Sequence, residues 1–360
     1  MLLRAFIPII ALAASTAAGG QSQAGQAGDY IIRDFRFASG EVLPELKLHY
    51  RTIGKPMRDA SGVVRNAVLI LHGTTGAGTQ FLSPSFANEL FGGGQPLDTT
   101  RYYIILPDGI GHGLSSRPSE GLHARFPHYT YDDMVDADHR LLTEHLGVNH
   151  LRVVMGTSMG GMHSWVWGER YPEFMDGIVP LASVPTAIVG RNRMFRHMIM
   201  EDITSDPAWK NGNYTAQPPG LRAAMQILFV MTSAPLVQHR TAPTREKADS
   251  EIDAILDARV RSMDANDVLY AFDASRNYDP SAKLDRIVAP LLAINSADDQ
   301  VNPPELGLME QLIPKVKHGR YLLIPISPIT RGHGTHTVAA AWKTPFLDFL
   351  ASLPPLPALH

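Results

Sequence analysis

The chain has 360 residues, 44% hydrophobic and 19% charged, enough for a sizeable core in one large domain or two small ones. Its formal charge of −3 and lack of a basic patch remove any electrostatic case for nucleic acid or an anionic membrane as partner. With no cysteine, disulfides, thiolate metal sites and a cysteine nucleophile are excluded.

The N-terminus opens on a short positive stretch ending at Arg4. An apolar run over residues 5–14 and the small residues Ser15, Thr16, Ala17 and Ala18 follow. This is the layout of a secretory signal peptide cleaved after Ala18 or Ala24. Residues 1–24 are expected to be signal and leader, and the product periplasmic or secreted. The run is too short to span a bilayer, so no membrane span is expected after cleavage. Residues 29–360 are expected to form the folded domain.

Within that domain, Leu46, Leu48 and Tyr50 alternate with Lys47, His49 and Arg51, the period of a half-buried strand, and residues 30–37 offer an antiparallel partner. Six continuous apolar runs follow, at 67–71, 102–106, 151–155, 177–181, 291–294 and 321–324. Strands apolar on both faces suit a parallel sheet covered by helices. Helical spacing between the runs, as over 131–146, predicts a three-layer α/β architecture with a mostly parallel central sheet. Residues 185–285 break the rhythm. They carry helical patterns at 193–201, 221–231 and 247–263 and no buried strand, which predicts a helical lid inserted into the sheet domain.

The strongest chemical signal is Gly156-Thr157-Ser158-Met159-Gly160-Gly161, directly after an apolar run. A serine on a tight strand-to-helix turn exposes its hydroxyl above the sheet, and the glycines permit the turn and the close packing of the helix. The Met159 N–H at the helix start is a candidate oxyanion donor. A second is the Thr74 N–H, in the loop His72-Gly73-Thr74-Thr75-Gly76 that follows the 67–71 run. A serine hydroxyl needs a base, and the base an orienting carboxylate; in this arrangement they follow in the order serine, acid, histidine. After the 291–294 run come Asp298 and Asp299. Asp299 is the preferred acid, because the acid in this loop is followed by a short spacer and proline, here Pro303; Asp298 is then a turn former. The segment Arg331-Gly332-His333-Gly334-Thr335-His336 offers two bases, with His333 preferred over His336. Two histidines in a glycine-bearing loop fall short of a zinc site, and the loop over 107–113 lacks the spacing of a dinucleotide or phosphate loop, so no metal or cofactor is expected. The lid methionines Met194, Met198, Met200, Met225 and Met231 are read as core filler, some lining an acyl pocket.

These motifs place the chain in the α/β-hydrolase fold, and from about Leu43 onward it resembles the homoserine O-acetyltransferase family. The resemblance rests on the 72–76 loop, Gly156 to Met162, Asn192-Arg193, Asp206-Pro207-Ala208-Trp209 with Gly212-Asn213-Tyr214, Asp299 to Pro304, and Gly332-His333. It implies Ser158 as nucleophile, Asp299 as acid and His333 as base, and a homodimer. Two segments depart from the family. The first loop has Gly73-Thr74 where the family has alanine and leucine, and residues 108–116 match the D-x-x-G-x-G-x-S loop of hydrolases. An exported chain would also lack a cytoplasmic acyl donor. The expected function is therefore hydrolysis of a small-molecule carboxylic ester, lactone or amide, with acyl transfer as the alternative.

Overall fold

The computed structural model describes residues 25–356; the expected signal peptide, residues 1–24, lies outside them. Eight strands form one sheet: β1 (Gln26–Arg36), β2 (Val42–Ile53), β3 (Ala67–Leu71), β4 (Tyr103–Pro107), β5 (Val153–Thr157), β6 (Ile178–Leu181), β7 (Leu291–Ser296) and β8 (Gly319–Ile324). Their order is β1-β2-β4-β3-β5-β6-β7-β8. β1 pairs with β2, and β2 with β4, in antiparallel register, while the remaining pairs are parallel. The sequence dictates this division. β3 to β7 are buried at every position, as a sheet covered on both faces requires, whereas β1 and β2 mix buried with exposed positions.

The helices of the sheet domain are α1 (Pro84–Leu90), α2 (Tyr131–Arg140), α3 (Met159–Arg170), α9 (Leu308–Leu312) and α10 (Lys343–Ser352). Alternate strand residues sort them onto two faces. Val68, Ile70, Ile104, Leu106, Val153 and Met155 pack with Phe86 of α1 and with Trp342, Phe346 and Phe349 at α10. Leu69, Leu71, Ile105 and Val154 pack with Met134 and Val135 of α2 and Trp165 and Val166 of α3. The helix expected over 131–146 is α-helical only to Arg140 and ends in a π-helical turn, Leu141–His145. The apolar spacing reads alike for both winding modes, so only the backbone reveals the change.

Between β6 and β7 the chain forms five helices: α4 (Gly190–Thr204), α5 (Pro219–Thr232), α6 (Pro235–Thr241), α7 (Arg245–Ser262) and α8 (Ala265–Asp273). They hold a core of their own from Ile199, Ile203, Leu221, Met225, Leu256, Val268 and Phe272. Among the described residues no single helix is long and apolar enough to cross a membrane.

Several histidines are buried beneath the loops that follow the strands. Burial pushes His72 down to about 4. Burial, and then the charge of His72, pushes His112 to about 3, and burial drives His163 well below its ordinary range. His72 is locked by two hydrogen bonds: its Nδ1 meets the Gly73 carbonyl at 2.9 Å, and its Nε2 accepts from the Gly109 N–H at 2.9 Å.

Two outcomes follow for stability. Trp342→Ala, at a side chain with no exposure, is expected to cost about 3–5 kcal/mol in guanidinium unfolding. The histidines whose folded values are depressed make stability pH-dependent: full above about 6.5, it falls as the unfolded chain takes up protons the folded one refuses. For His72 alone the loss amounts to about 3 kcal/mol by pH 4. Unfolding midpoints measured at pH 7.5, 6 and 5 should decline, and His72→Gln should flatten the decline; a level profile in the parent protein would refute this.

Candidate active site

Ser158 sits between β5 and α3 with φ 57° and ψ −112°, a conformation that L-residues adopt only when the surroundings impose it. Those surroundings are backbone. A Cβ on Gly160 would lie 2.0 Å from the Leu71 carbonyl oxygen of β3, and one on Gly161 2.4 Å from the Leu181 oxygen of β6. One on Gly156 would meet the Gly160 oxygen at 2.2 Å. The Ser158 N–H donates to the Leu181 carbonyl at 2.9 Å, which pins the turn to the next strand. The three glycines are thus required by the contact between α3 and the sheet.

Above that turn, Ser158 Oγ lies 2.8 Å from His333 Nε2. His333 Nδ1 lies 2.9 Å from Asp299 Oδ2 and 3.1 Å from Oδ1. Asp299 is buried after β7, and its carboxylate also accepts from the Val301 N–H at 2.8 Å and the Asn302 side-chain amide at 3.1 Å. Burial alone would raise its pKa. The charge and hydrogen bond of His333, with the bonds from Asn302 and Val301, outweigh burial and hold it below the ordinary carboxylate range. An ionised carboxylate against Nδ1 leaves Nε2 free to face the serine.

Asp298, the other acid in this loop, accepts from the Ser296 hydroxyl and, at 2.9 Å, from the Gly332 N–H. It ties the β7 loop to the histidine loop. His336 meets the His333 ring edge-on at 5.3 Å between centroids. Burial, and then the neighbouring charge of His333, pushes it down to about 3. The serine hydroxyl and the Asp299 carboxylate both bond His333, and no hydrogen bond joins His336 to either.

The two candidate oxyanion donors belong to segments that meet at Ser158. Met159 is the first residue of α3, where backbone N–H groups have no partner within the helix. Thr74 follows Gly73, where a Cβ would lie 3.5 Å from that of Ser158, and the loop closes through the Gly76 N–H to the Gly73 carbonyl at 3.0 Å. The 108–116 segment braces this loop. Asp108 accepts from the N–H groups of Gly78 at 2.7 Å and Leu114 at 2.8 Å.

A pocket of about 260 Å³ opens at Ser158, lined by Thr74, Gln80, Arg196, Leu228, Met231, Arg259, Phe272, His333 and His336, among others. Most of these escaped sequence reasoning, since the helices that carry Arg196, Arg259 and Phe272 give no motif. Of the five methionines singled out, only Met231 lines this pocket; Met225 is fully buried and Met194 is 63% exposed.

Comparison with known proteins agrees with this architecture. The model of the alpha/beta hydrolase fold family matches residues 66–324. A protein described as a probable acyltransferase, from Methanothermobacter thermautotrophicus, is 30% identical over 80% of this chain and 88% of its own. A homoserine O-acetyltransferase from Haloarcula marismortui is 31% identical over 70% of this chain and 71% of its own. Among solved structures, an acetylester hydrolase from Corynebacterium glutamicum superimposes with a TM-score of 0.79 at 22% identity, covering 91% of this chain and 96% of that one. A homoserine O-acetyltransferase from Bacillus anthracis gives 0.79 at 20% identity, covering 91% and 98%. With its eight-stranded, mostly parallel sheet and a serine at the strand-to-helix turn, the chain belongs to the alpha/beta hydrolase family and is a relative of the homoserine O-acetyltransferases.

Proposed function

We propose that the protein hydrolyses a carboxylic ester, lactone or amide through an acyl-enzyme on Ser158. The observation that carries this reading is the line of short contacts from Ser158 Oγ through His333 to Asp299, at 2.8 Å and 2.9 Å. Ser158 Oγ attacks the carbonyl carbon as His333 Nε2 takes its proton. The N–H groups of Thr74 and Met159 stabilise the oxyanion, and His333 returns the proton to the leaving group. Water, activated by the same imidazole, then releases the acid. Asp299 stays ionised throughout and fixes the ring. The helices α4 to α8 act in this reading as the lid over the pocket. The 1–18 segment would direct the chain out of the cytoplasm, which N-terminal sequencing of the mature protein from periplasm or medium checks.

A second reading, acyl transfer through the same groups with an alcohol or amine replacing water, is favoured by the sequence relatives, a probable acyltransferase and a homoserine O-acetyltransferase. The two differ in product. Release of free acid at an unchanged rate with and without acceptor alcohol marks a hydrolase; acceptor-dependent formation of a new ester marks a transferase.

On p-nitrophenyl esters of rising acyl length, Ser158→Ala is expected to lower kcat by about 10⁴-fold or more. Asp299→Asn should cost about 10⁴-fold, because it leaves the imidazole in the wrong tautomer. Asp298→Asn, which touches only the loop tie, should cost far less. Near-parent turnover in Ser158→Ala, or equal losses in the two aspartate variants, would sink the mechanism.

A further inference from the structure

A chamber of about 560 Å³ adjoins the pocket at Ser158 and shares Thr75 and Gln80 with it as walls. The loops after β3 and β4 form one side, and the junction of α7 with α8 forms the other. No step of the acyl-enzyme chemistry uses it. Its formal charges balance, Arg117 and Arg261 against Asp264 and Asp267. The two acids are already engaged. Asp264 accepts from the Tyr214 hydroxyl and the Gln217 side-chain amide, and Asp267 from the N–H and hydroxyl of Ser119. Neither an anion nor a cation meets a surplus of opposite charge there.

The chamber offers neutral hydrogen-bonding capacity instead. Among the described residues the hydroxyls of Thr75 and Thr79 make no hydrogen bond. Gln80 donates its Nε2 to the Thr157 hydroxyl at 3.0 Å and keeps Oε1 as a free acceptor. His112, 4% exposed, lines the same chamber. Its Nδ1 lies 2.9 Å from the Ile110 carbonyl, which can only accept, so Nδ1 holds the proton and Nε2 presents a lone pair that meets no donor. A buried acceptor left empty is costly, and the O–H of a ligand would complete it. Thr75 holds φ 63°, where glycine is at ease and a β-branched residue is strained. Strain of that kind gathers at ligand clamps. On the helix side, Met263, Val268 and Ala271 supply an apolar strip. Mixed donors and acceptors beside an apolar strip suit a group with several hydroxyls, each able to donate and accept, on an apolar C–H frame. The volume, that of about nineteen water molecules, holds a group of sugar size.

We propose that this chamber receives the alcohol half of the ester, and that this half is an uncharged, polyhydroxylated group of sugar size. This rests on Ser158 being the nucleophile and names the substrate class of that site. As the acyl group passes to Ser158 Oγ, the bond from the carbonyl carbon to the sugar oxygen breaks. His333 gives that oxygen the proton taken from the serine, and the free polyol leaves.

Binding can be read without turnover. The probes are glucose 6-acetate and hexyl acetate, acetates of six-carbon primary alcohols with and without the further hydroxyls. Ligand-observed NMR titration of Ser158→Ala should show the sugar ester binding about tenfold or more tighter than hexyl acetate. Thr75→Val and Gln80→Leu in the same background each remove a hydrogen-bonding group and should narrow that margin. Met263→Trp fills the chamber and should abolish it. Each margin is a ratio within one variant, so a loss of folded protein cancels. No margin over hexyl acetate, or one unchanged in Met263→Trp, overturns the proposal. Turnover separates it from the hydrolase reading. Acetate release by the parent protein should favour the sugar ester in kcat/KM, and Met263→Trp should collapse that ratio. Ser158-dependent cleavage of both esters without preference discards the polyol site and keeps the hydrolase. Tighter binding of the sugar ester that Met263→Trp abolishes, with no cleavage, keeps the site and discards the hydrolase.

Discussion

The approach of α3 to the sheet is the constraint on which the rest of the structure depends. Backbone meets backbone at Gly160 and Leu71 and at Gly161 and Leu181, with no room for even a methyl group between them. A helix that close to two parallel strands can be reached from β5 only through a sharp turn, and Ser158 is the residue left in it, at positive φ. Strain of this kind persists because the surroundings over-determine it. The same approach brings the first residue of α3 and the loop after β3 together around one hydroxyl, so a packing requirement and a chemical one are met by the same glycines.

The loops after β7 and β8 complete the arrangement by dividing labour between adjacent acids. Asp299 turns inward to the imidazole, and Asp298 turns sideways to the Gly332 N–H. A histidine on a loop is held only as well as the loop is, and here the carboxylate next to the orienting one supplies that hold. His336 keeps a neutral, apolar-like surface against the His333 ring.

Much of this was legible from the residues because the signals were local. The continuous apolar runs located the parallel strands, and β3 coincided with its run at both ends. The glycines around Ser158 announced the turn because their spacing is a direct imprint of backbone contact. What stayed hidden depended on distance along the chain. Arg196 and Ser275 are far apart in sequence, and nothing in either neighbourhood says that a buried arginine will end beside a serine. Helical periodicity over 131–146 carried no trace of the switch to π winding after Arg140. Met194 and Met225 look alike in composition, yet one is exposed and the other buried, because only the packing of α4 on α5 decides which face is inside.

The helices between β6 and β7 hold an apolar core separate from the two that clamp the sheet. Floor and roof of the pocket therefore rest for the most part on different foundations, with Tyr270 of α8 packed in the core on the sheet. The serine, its histidine and its carboxylate hang from strand ends, whereas Arg196, Leu228, Met231, Arg259 and Phe272 are carried by α4, α5, α7 and α8. Apolar side chains of the roof, such as Leu228 and Met231, can be exchanged without removing a hydrogen bond of the floor, while Asn192 of α4 still ties the two through the Val301 carbonyl at 3.3 Å. Such a molecule is modular in the engineering sense. Its reactivity and its taste in substrates can drift independently over evolutionary time, and a lineage can keep one while rebuilding the other.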